Sequence, residues 1–373
     1  MTMPDLGLPL QPPIAPMLAK SIGAAVPDVG PKGQKLAFEP KWDGFRCLLF
    51  KAGSEVVLQS RSGENLAYAF PEVVAAAQAG LPDGVLDGEL VIARDGRLWF
   101  ELLGQRIRPR SEEGGWKIAE LANDHPASYV AFDLLADAHQ DLSETAQHDR
   151  RTALESIAFA PPFFLTPTTA DPDVAQRWFD QFEGAGLDGV MAKPVAGTYE
   201  PNKRTMFKIK HARTTDVVIG GWRPYKNPGV DGQQVVGSLL LGLFDDDGQL
   251  HHIGVASSFT ATRRAELVAE LAPLTVQPGD EHPWSWGQDA STANQRQPGA
   301  GSRWTGKKDL SFYKLRPELV AEVAYDHMEG TRFRHVAKFV RYRPDRSPES
   351  CTFEQLAQPV EFELSDVVPG LGR

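Results

Sequence analysis

The side chains best suited to chemistry lie in one short segment, EPKWDGFR, which runs from Glu39 to Arg46. A lysine amine becomes a nucleophile when neighbouring cations or a metal ion lower its pKa, and Lys41 is followed by Asp43 and Arg46. Gly44 would let a phosphate approach the backbone closely, because glycine has no side chain. The pattern indicates covalent catalysis by Lys41, although a solvated lysine at a surface turn would give the same few letters.

Six further segments with chemically capable side chains follow in order along the chain. They are SRSGE at 60–64, LDGELV at 86–91, AFDLL at 131–135, GLDGVMAKP at 186–194, FKIK at 207–210 and RFRHVAKFVRYRPD at 332–345. Their carboxylates suit Mg²⁺, and their lysines and arginines suit phosphate. Since side chains alternate along a strand, Lys208 and Lys210 would share a face and reach one phosphate. Arg341, Arg343 and Asp345 have the same spacing and would share a face if the strand extends that far.

This ordered set resembles the motifs of the covalent nucleotidyltransferases, which include ATP-dependent DNA ligases, RNA ligases and mRNA capping enzymes. The agreement extends from about residue 14 to 346. The short two-domain ATP-dependent DNA ligases of bacteria look most similar, and the segments SRWTGKKDLSFYKLRPELV and YDHMEGTRFRH also resemble that subgroup. The resemblance implies an ATP-dependent DNA ligase of DNA repair, which seals nicks between a 3′-hydroxyl and a 5′-phosphate through a lysyl-AMP and a DNA-adenylate.

The resemblance also implies how the nucleotide would be held. Lys41 would attack the α-phosphate of ATP and carry AMP as a phosphoramide, while Asp43 would keep the lysine in register. Glu39 would accept a hydrogen bond from the adenine amino group, which guanine could not supply. Phe132 and Met191 would stack on the two faces of adenine, although apolar strand residues most often belong to a core.

Further residues would serve the ribose, the phosphates and a metal ion. By resemblance, Arg46 and Arg61 would contact ribose and phosphate, and later the 5′-phosphate of the nick. Glu89 would bind the ribose or Mg²⁺, and Asp188 would be a second ligand for Mg²⁺, with Mn²⁺ as an alternative ion. Carboxylates are the ligands that Mg²⁺ prefers, so histidines are not required.

The remaining cations would act on the triphosphate. Lys208 and Lys210 would neutralise the α-phosphate, and Arg341, Arg343 and Asp345 would come from a second domain to orient the leaving pyrophosphate. Such roles fit phosphoryl transfer, which depends on positioning and charge neutralisation.

Two positions depart from the family pattern. Asp188 stands where most relatives carry Glu, so its carboxylate reaches one methylene less far and the metal geometry there is less defined. Arg346 follows Asp345 where relatives commonly have a lysine, which keeps the charge and changes the donor geometry. Neither substitution removes the chemistry.

The elements that would hold these residues predict an α+β fold with antiparallel sheets. Strands are predicted over 35–62, with helices over 71–80, 144–158 and 172–184 and a hairpin around Asp95-Gly96. Strands and helices alternate without a regular β-α-β rhythm, which favours antiparallel pairing.

A change in the sequence pattern near residue 213, to short strands separated by Gly and Asp turns, predicts two domains. Residues 1–212, with an N-terminal arm over 1–14, would form the adenylation domain. Residues 213–373 contain short strands and one helix, which is typical of an OB-fold β-barrel. The resemblance implies that the barrel swings between reaction steps, which predicts a hinge near 212–216. A polar loop over 277–305 interrupts the second domain.

The composition is that of an ordinary globular protein. The chain has 373 residues, of which 42% are hydrophobic and 24% charged. We expect neither a membrane span nor a signal peptide, because no apolar run of about 18 residues is present and the N-terminus lacks a basic start before an apolar core. Its two cysteines, Cys47 and Cys351, exclude a four-cysteine zinc site and suit a reducing cytoplasm.

The charge distribution is compatible with a polyanionic ligand but does not require one. The net charge is −10, but residues 193–213 hold six Lys/Arg against one acid, and residues 303–346 hold eleven against six. Local clusters decide phosphate binding. Aromatic residues interleave with the cations of 303–346, so we expect DNA contact there. Lys193, in the first of these two basic stretches, would either contact DNA or be solvated.

The resemblance implies nicked double-stranded DNA as the partner. The protein would act as a monomer at the nucleoid in the cytoplasm, and a repair protein would help it to find its nicks. Two alternatives stay open. One is the same chemistry on RNA, by an RNA ligase or a capping enzyme, and the other is an inert nucleic-acid-binding protein that has kept the fold.

Overall fold

The computed structural model describes residues 3–107, 112–211, 213–229, 232–277, 279–284, 311–356 and 362–372. The chain divides into two compact units. The first contains Met1–His211 together with Pro359–Arg373, and the second contains Ala212–Gln358. Most of the expected loop over 277–305 lies outside the described residues, as does the first residue of the expected hinge.

The first unit contains eleven named strands and six helices among its described residues. In chain order they are β1 (Leu18–Ser21), β2 (Leu36–Pro40), β3 (Phe45–Ala52), β4 (Glu55–Ser60), α1 (Pro71–Gly80), β5 (Gly84–Val91), β6 (Ala93–Arg94), β7 (Arg97–Leu98), α2 (Phe100–Arg106), α3 (Glu112–Asp124), β8 (Ser128–Asp137), α4 (Gln147–Glu155), β9 (Phe163–Leu165), α5 (Pro172–Gln181), β10 (Val190–Pro194) and β11 (Arg204–Ile209), with α7 (Leu364–Val367) near the end of the chain.

Two sheets form the frame of this unit. One has the strand order β1-β11-β10-β2, and the other has the order β4-β3-β5-β8-β9. Most neighbouring strands are antiparallel, as expected, but β1 pairs with β11 and β8 pairs with β9 in parallel. A separate hairpin joins β6 to β7.

Local sequence signals account for several element boundaries. Helix α1 starts at Pro71, whose missing N–H costs nothing in the first turn of a helix. Helix α5 is capped by Asp171, whose side chain accepts a hydrogen bond from the backbone N–H of Asp173. The β6–β7 turn has positive φ angles at Asp95 and Gly96, the conformation of a two-residue hairpin turn.

The N-terminal segment is packed rather than free. Leu8 and Met17 are buried in a hydrophobic cluster with residues of β3, β4 and β11. Ile14 exchanges two hydrogen bonds with Gln59, because its N–H donates to Oε1 and its carbonyl accepts from Nε2. The segment expected as an arm over 1–14 therefore forms part of the first unit.

The end of the chain also belongs to the first unit, whereas the sequence had suggested the second. Leu364, Val367, Val368 and Leu371 are buried in one cluster with Trp42 and other side chains of the first unit. The backbone N–H of Leu364 donates to the carbonyl of Gly96 in the β6–β7 turn. Burial of these apolar side chains explains the grouping.

The second unit is a five-stranded antiparallel sheet with one long helix. Its elements are β12 (Arg213–Pro224), β13 (Val236–Phe244), β14 (Leu250–Ala256), α6 (Ala261–Leu271), β15 (Tyr313–Tyr325), β16 (Met328–Glu329), β17 (Arg332–Phe333) and β18 (Lys338–Tyr342). The sheet order is β14-β13-β12-β15-β18. The N–H of Ala337, just before β18, donates to the carbonyl of Val255 in β14, so the two edges of the sheet meet. This order and the helix after the third strand are those of the expected OB-fold.

None of the helices in the described ranges is long and apolar enough to cross a membrane.

Candidate active site

The first sheet presents a row of functional side chains across three strands. Met191 of β10 lies directly opposite Glu39 of β2 on one side and Lys208 of β11 on the other. Residues opposite each other in a sheet point to the same face. Lys193 lies two residues beyond Met191, so it also points to this face. All four side chains line one cavity of about 410 Å³.

The second sheet supplies the remaining part of the cavity wall. Arg46 of β3 lies directly opposite Glu89 of β5, and Phe132 comes from the next strand, β8. These three side chains line the same cavity as Met191. Phe132 and Met191 therefore reach the cavity from different sheets, as two side chains that sandwich a flat ligand would.

Lys41 lies in the short connection between the two sheets. This connection is fixed to the β10 side by two backbone hydrogen bonds: the N–H of Lys41 donates to Gly189, and its carbonyl accepts from Asp188. Gly44 allows the turn into β3, because a Cβ there would overlap the carbonyl oxygen of Leu90. Close contact with strand β5 is thus a reason for glycine at this position in addition to the expected approach of a phosphate.

Lys41 and Lys210 converge on a single carboxylate. The Nζ atoms of both lysines lie 2.7 Å from Oδ2 of Asp188. Burial alone would raise the pKa of Asp188, but the two ammonium groups outweigh it and hold the pKa below its ordinary value. Asp188 is therefore an ionised carboxylate that orients the proposed nucleophile. The sequence had suggested Asp43 for positioning Lys41, whereas the ion pair described here is made by Asp188.

Arg46 is held in place by a buried carboxylate. Its Nε and Nη2 donate to the two oxygens of Asp87 at 3.0 and 2.6 Å, a two-pronged contact. Asp87 is fully buried and also accepts a hydrogen bond of 2.7 Å from the hydroxyl of Tyr199. The guanidinium carbon of Arg46 lies 5.3 Å from the centre of the Phe132 ring.

Glu39 forms a buried ion pair with Lys193. Oε2 of Glu39 lies 2.8 Å from Nζ of Lys193, and both side chains are almost inaccessible. Oε1 of Glu39 is buried and has no hydrogen-bond partner among the described residues. The sequence expected Lys193 to contact DNA or solvent. That expectation is wrong, because Lys193 is 2% exposed and points into the cavity wall.

The pKa of Glu89 is shifted in the opposite direction from that of Asp188. Burial raises the pKa of Glu89 to about 8, because the nearby cations Lys41 and Arg46 offset only part of the cost of removing a carboxylate from water. Oε1 of Glu89 accepts a hydrogen bond of 3.1 Å from the N–H of Gly44. A carboxyl of this kind favours the arrival of further positive charge.

Other expected residues lie at the edge of this site. Arg61 is exposed and lines the cavity rim. Asp43 lies in the connection before Gly44, and its charge contributes to the raised pKa of Glu89. Lys210 follows β11 and is held by Asp188, whereas Lys208 lines the cavity itself.

The three residues expected from the last motif lie in the second unit and form ion pairs there. Arg341 pairs with Glu322 at 2.6 Å. Arg343 pairs with Asp216 through Nη1 and with Asp345 through Nη2, at 3.0 and 2.8 Å. Strand β18 ends at Tyr342, so Arg343 and Asp345 lie beyond it and the expected shared strand face does not extend to them.

Sequence reasoning missed three residues that shape the site. Asp87, Lys193 and Arg204 either hold a predicted residue or line the cavity. The alternation of side chains along β10 could have identified Lys193, since it shares its face with Met191. Asp87 was visible only as a polar residue within an apolar strand.

Comparison with known proteins finds two family models that match the chain. The family model described as the ATP dependent DNA ligase domain matches residues 16–210, and the model described as the ATP dependent DNA ligase C terminal region matches residues 232–346.

Individual relatives match over nearly their full length. The chain is 49% identical to a protein named DNA ligase C from Mycobacterium tuberculosis, over 98% of this chain and 99% of that one. It is 50% identical to DNA ligase C2 from Mycolicibacterium smegmatis, over 95% and 97%. A solved structure from a study of Lig E DNA ligases is similar in fold, with a TM-score of 0.50 and 14% identity over 87% of this chain and 100% of that chain.

Proposed function

The chain belongs to the ATP-dependent DNA ligase family, and from that premise we propose that it seals nicks in duplex DNA through an adenylate on Lys41. Nζ of Lys41 attacks the α-phosphorus of ATP, so a P–N bond forms and the P–O bond to pyrophosphate breaks. The AMP then passes to the 5′-phosphate of the nick. The 3′-hydroxyl finally attacks that phosphate and expels AMP.

The observation that carries this proposal is the position of Lys41 at the nucleotide-sized cavity. Lys41 lines it together with an acidic residue, Glu39, and two apolar side chains, Phe132 and Met191. We assign the adenine to these last three: Glu39 accepts from the amino group, and the other two stack on the faces of the base. A buried acceptor without a partner, Oε1 of Glu39, supports this assignment.

Cations around the cavity suit the phosphates and the ribose. Arg46, Arg61 and Lys208 line it and bind the ribose and the phosphate oxygens in this proposal. Lys41 attacks as a neutral amine, so its proton must leave first. Asp188 orients the amine throughout, and Lys210 keeps that carboxylate paired after the proton has gone.

Glu89 and Asp188 are the residues that we propose as ligands of Mg²⁺, with Mn²⁺ as an alternative. Among the described residues no three His, Cys, Asp or Glu side chains cluster as a metal cage. Mg²⁺ fits such a site, because it commonly takes one or two carboxylates and completes its shell with water and substrate phosphates. The raised pKa of Glu89 supports the assignment, since a cation would restore its charge. The ion would stabilise negative charge that develops on the phosphate.

The second unit contributes Arg341 and Arg343 in this proposal. Both guanidinium groups orient the leaving pyrophosphate, with Asp345 as a partner of Arg343. Their ion pairs with Glu322 and Asp216 hold them within the unit. The barrel then moves away to admit DNA, with the hinge at 212–216.

We propose a monomer that works in the cytoplasm at the nucleoid, in DNA repair, with a repair protein that guides it to nicks. Cys47 and Cys351 are buried free thiols, which suits a reducing compartment.

Matched nicked duplexes of DNA and RNA test the substrate. The wild-type protein is expected to seal nicked DNA with ATP and Mg²⁺, and to do so less well as salt rises. Sealing of RNA alone would contradict the DNA assignment and leave the chemistry intact. Failure to seal either duplex, together with retained binding, would favour an inert binding protein.

A further inference from the structure

Lys193 is the buried cation of the cavity that the proposed mechanism leaves without a task. Its ammonium lies 2.8 Å from Oε2 of Glu39 and 2.8 Å from the carbonyl oxygen of Phe132, to which it donates. It also lies 4.9 Å from the centre of the Phe132 ring. One ammonium group therefore contacts both a residue assigned to the edge of the base and a residue assigned to its face.

The two oxygens of Glu39 are not equivalent. Oε2 is occupied by Lys193, whereas Oε1 is buried with no hydrogen-bond partner among the described residues. A buried acceptor without a donor is unfavourable, so this atom selects a ligand that brings a donor. The 6-amino group of adenine is such a donor. The corresponding carbonyl of guanine is another acceptor and would be repelled.

We propose that Lys193 is the positioning residue that sets selectivity for adenine, because it binds Oε2 of Glu39 and leaves Oε1 to accept from the base. The contact with the carbonyl of Phe132 fixes the strand that carries the stacking ring. The inference rests on the proposed function, in which Glu39 binds the adenine amino group.

The electrostatic surroundings of Glu39 support this role. Burial raises the pKa of Glu39 above its ordinary value, and Lys193 lessens that rise both by its charge and by its hydrogen bond. The charge of Arg151 also lowers the pKa, and that of Asp133 raises it. Loss of the Lys193 ammonium would raise the pKa of Glu39 further and so favour the protonated carboxyl. A protonated carboxyl places an O–H where the acceptor is needed.

The test compares self-adenylation with ATP and with purine riboside triphosphate, which lacks the 6-amino group. The wild-type kcat/KM is expected to favour ATP by about tenfold to a hundredfold, the usual range for one hydrogen bond to a charged group. Lys193→Met should reduce that preference to about threefold or less. Lys193→Arg, which keeps the charge, should retain most of it. Lys35→Met removes an exposed lysine beside β2 and should leave the preference unchanged.

The pH dependence of KM separates this role from simple support of the fold. In Lys193→Met the KM for ATP should fall as pH rises, because the further raised pKa of Glu39 makes more of its carboxyl protonated at low pH. The fall should be smaller in Lys193→Arg, which keeps the cation. A change in packing alone would raise KM equally at every pH.

The outcomes distinguish the inference from its premise. If the wild-type protein forms no lysyl-AMP, the proposed function is wrong and the inference with it. If it does form one, and Lys193→Met keeps the full preference for ATP, the role of Lys193 is overturned while the proposed function stands. Should Lys193→Met fail to fold, Lys193→Gln offers a neutral donor to Glu39 instead. Loss of the preference there supports the inference, and an unchanged preference overturns it.

Discussion

Arg46 depends on Asp87 for its position at the cavity. Asp87 is fully buried and accepts hydrogen bonds from Arg46 and Tyr199. Its ion pair with Arg46 joins the side chains of strands β5 and β3. Removing one partner of a buried ion pair leaves an unpaired charge, which is more costly than losing an exposed pair. The contact therefore couples the position of a substrate-binding side chain to the stability of the sheet.

Replacement of Asp87 is accordingly expected to affect both stability and nucleotide binding. Asp87→Asn should lower the free energy of unfolding by about 3 kcal/mol and raise the KM for ATP. The matched control is Asp83→Asn, because Asp83 pairs with Lys51 at the same sheet but is 38% exposed, and it should cost below about 1 kcal/mol. Urea unfolding of both variants measures the difference. Equal losses would contradict the role of burial.

Glu89 is expected to make the stability of the protein depend on pH. Its pKa in the folded state is about 8, above its ordinary value of 4.5, so the folded state binds this proton more tightly than the unfolded state. The stability due to this group is complete at low pH and is lost as pH rises from about 5 to 8. Glu89→Gln, studied in EDTA, should therefore gain stability relative to the wild type across that interval.

Thermal melts at pH 5.5 and 8.5 measure this gain. Glu55→Gln changes an exposed glutamate on β4 of the same sheet and should leave the pH profile of the wild type unaltered. Parallel profiles for the wild type and Glu89→Gln would show that the carboxyl titrates normally and would remove this support for a cation at Glu89.

At the level of elements, the connection between β2 and β3 is the one that positions Lys41. Gly44→Ala would place a Cβ against the carbonyl of Leu90, so β3 and β5 must move apart. We expect a loss of about 1–3 kcal/mol in unfolding free energy and a marked fall in self-adenylation. Gly80→Ala, at the end of α1, has open space for its Cβ and should be neutral or slightly stabilising.

Urea unfolding and labelling with radioactive ATP compare the two glycine variants. Full self-adenylation by Gly44→Ala would contradict the view that this tight turn holds the nucleophile.

Local patterns predicted most elements of the first unit, and long-range contacts explain the exceptions. Helix α1 has the predicted bounds because Pro71 and Gly80 mark its ends in sequence. The strands that contain Glu39 and Arg46 agree with a prediction from partial apolar alternation, and the strand that contains Met191 agrees with one from its strand-like residues. The pairing of Lys193 with Glu39 joins residues far apart in sequence, and a lysine within a basic run gives no local sign that it is buried.

At the scale of the whole molecule, the first unit is built from two stretches of sequence, one before and one after the stretch that forms the second unit. The chain leaves at His211 and returns at Pro359. The sequence did not predict that the segment after Pro359 belongs to the first unit. A few apolar residues at the end of a chain show no periodicity from which their packing partner could be inferred. The segment's apolar side chains share a buried cluster with Trp42, which follows the proposed nucleophile in sequence, so we expect this segment to stabilise the first unit.

Loss of this contact is expected to destabilise the first unit. Leu364→Ala, at a fully buried position, should cost about 2–4 kcal/mol. Val29→Ala shortens a side chain that is 54% exposed and should change stability by less than about 0.5 kcal/mol. Hydrogen exchange should show faster exchange around β6–β7 in Leu364→Ala, with the second unit unchanged. Unaltered exchange at that hairpin would contradict the docking of the C-terminal segment.

The covalent step on Lys41 is the central claim, and peptide mapping after incubation with ATP and Mg²⁺ tests it most directly. The wild-type protein should gain the mass of one AMP, located on the peptide that contains Lys41. Lys41→Ala should gain none, whereas Lys35→Ala should be labelled like the wild type. An adenylate on any other residue, or none on the wild-type protein, would contradict the claim.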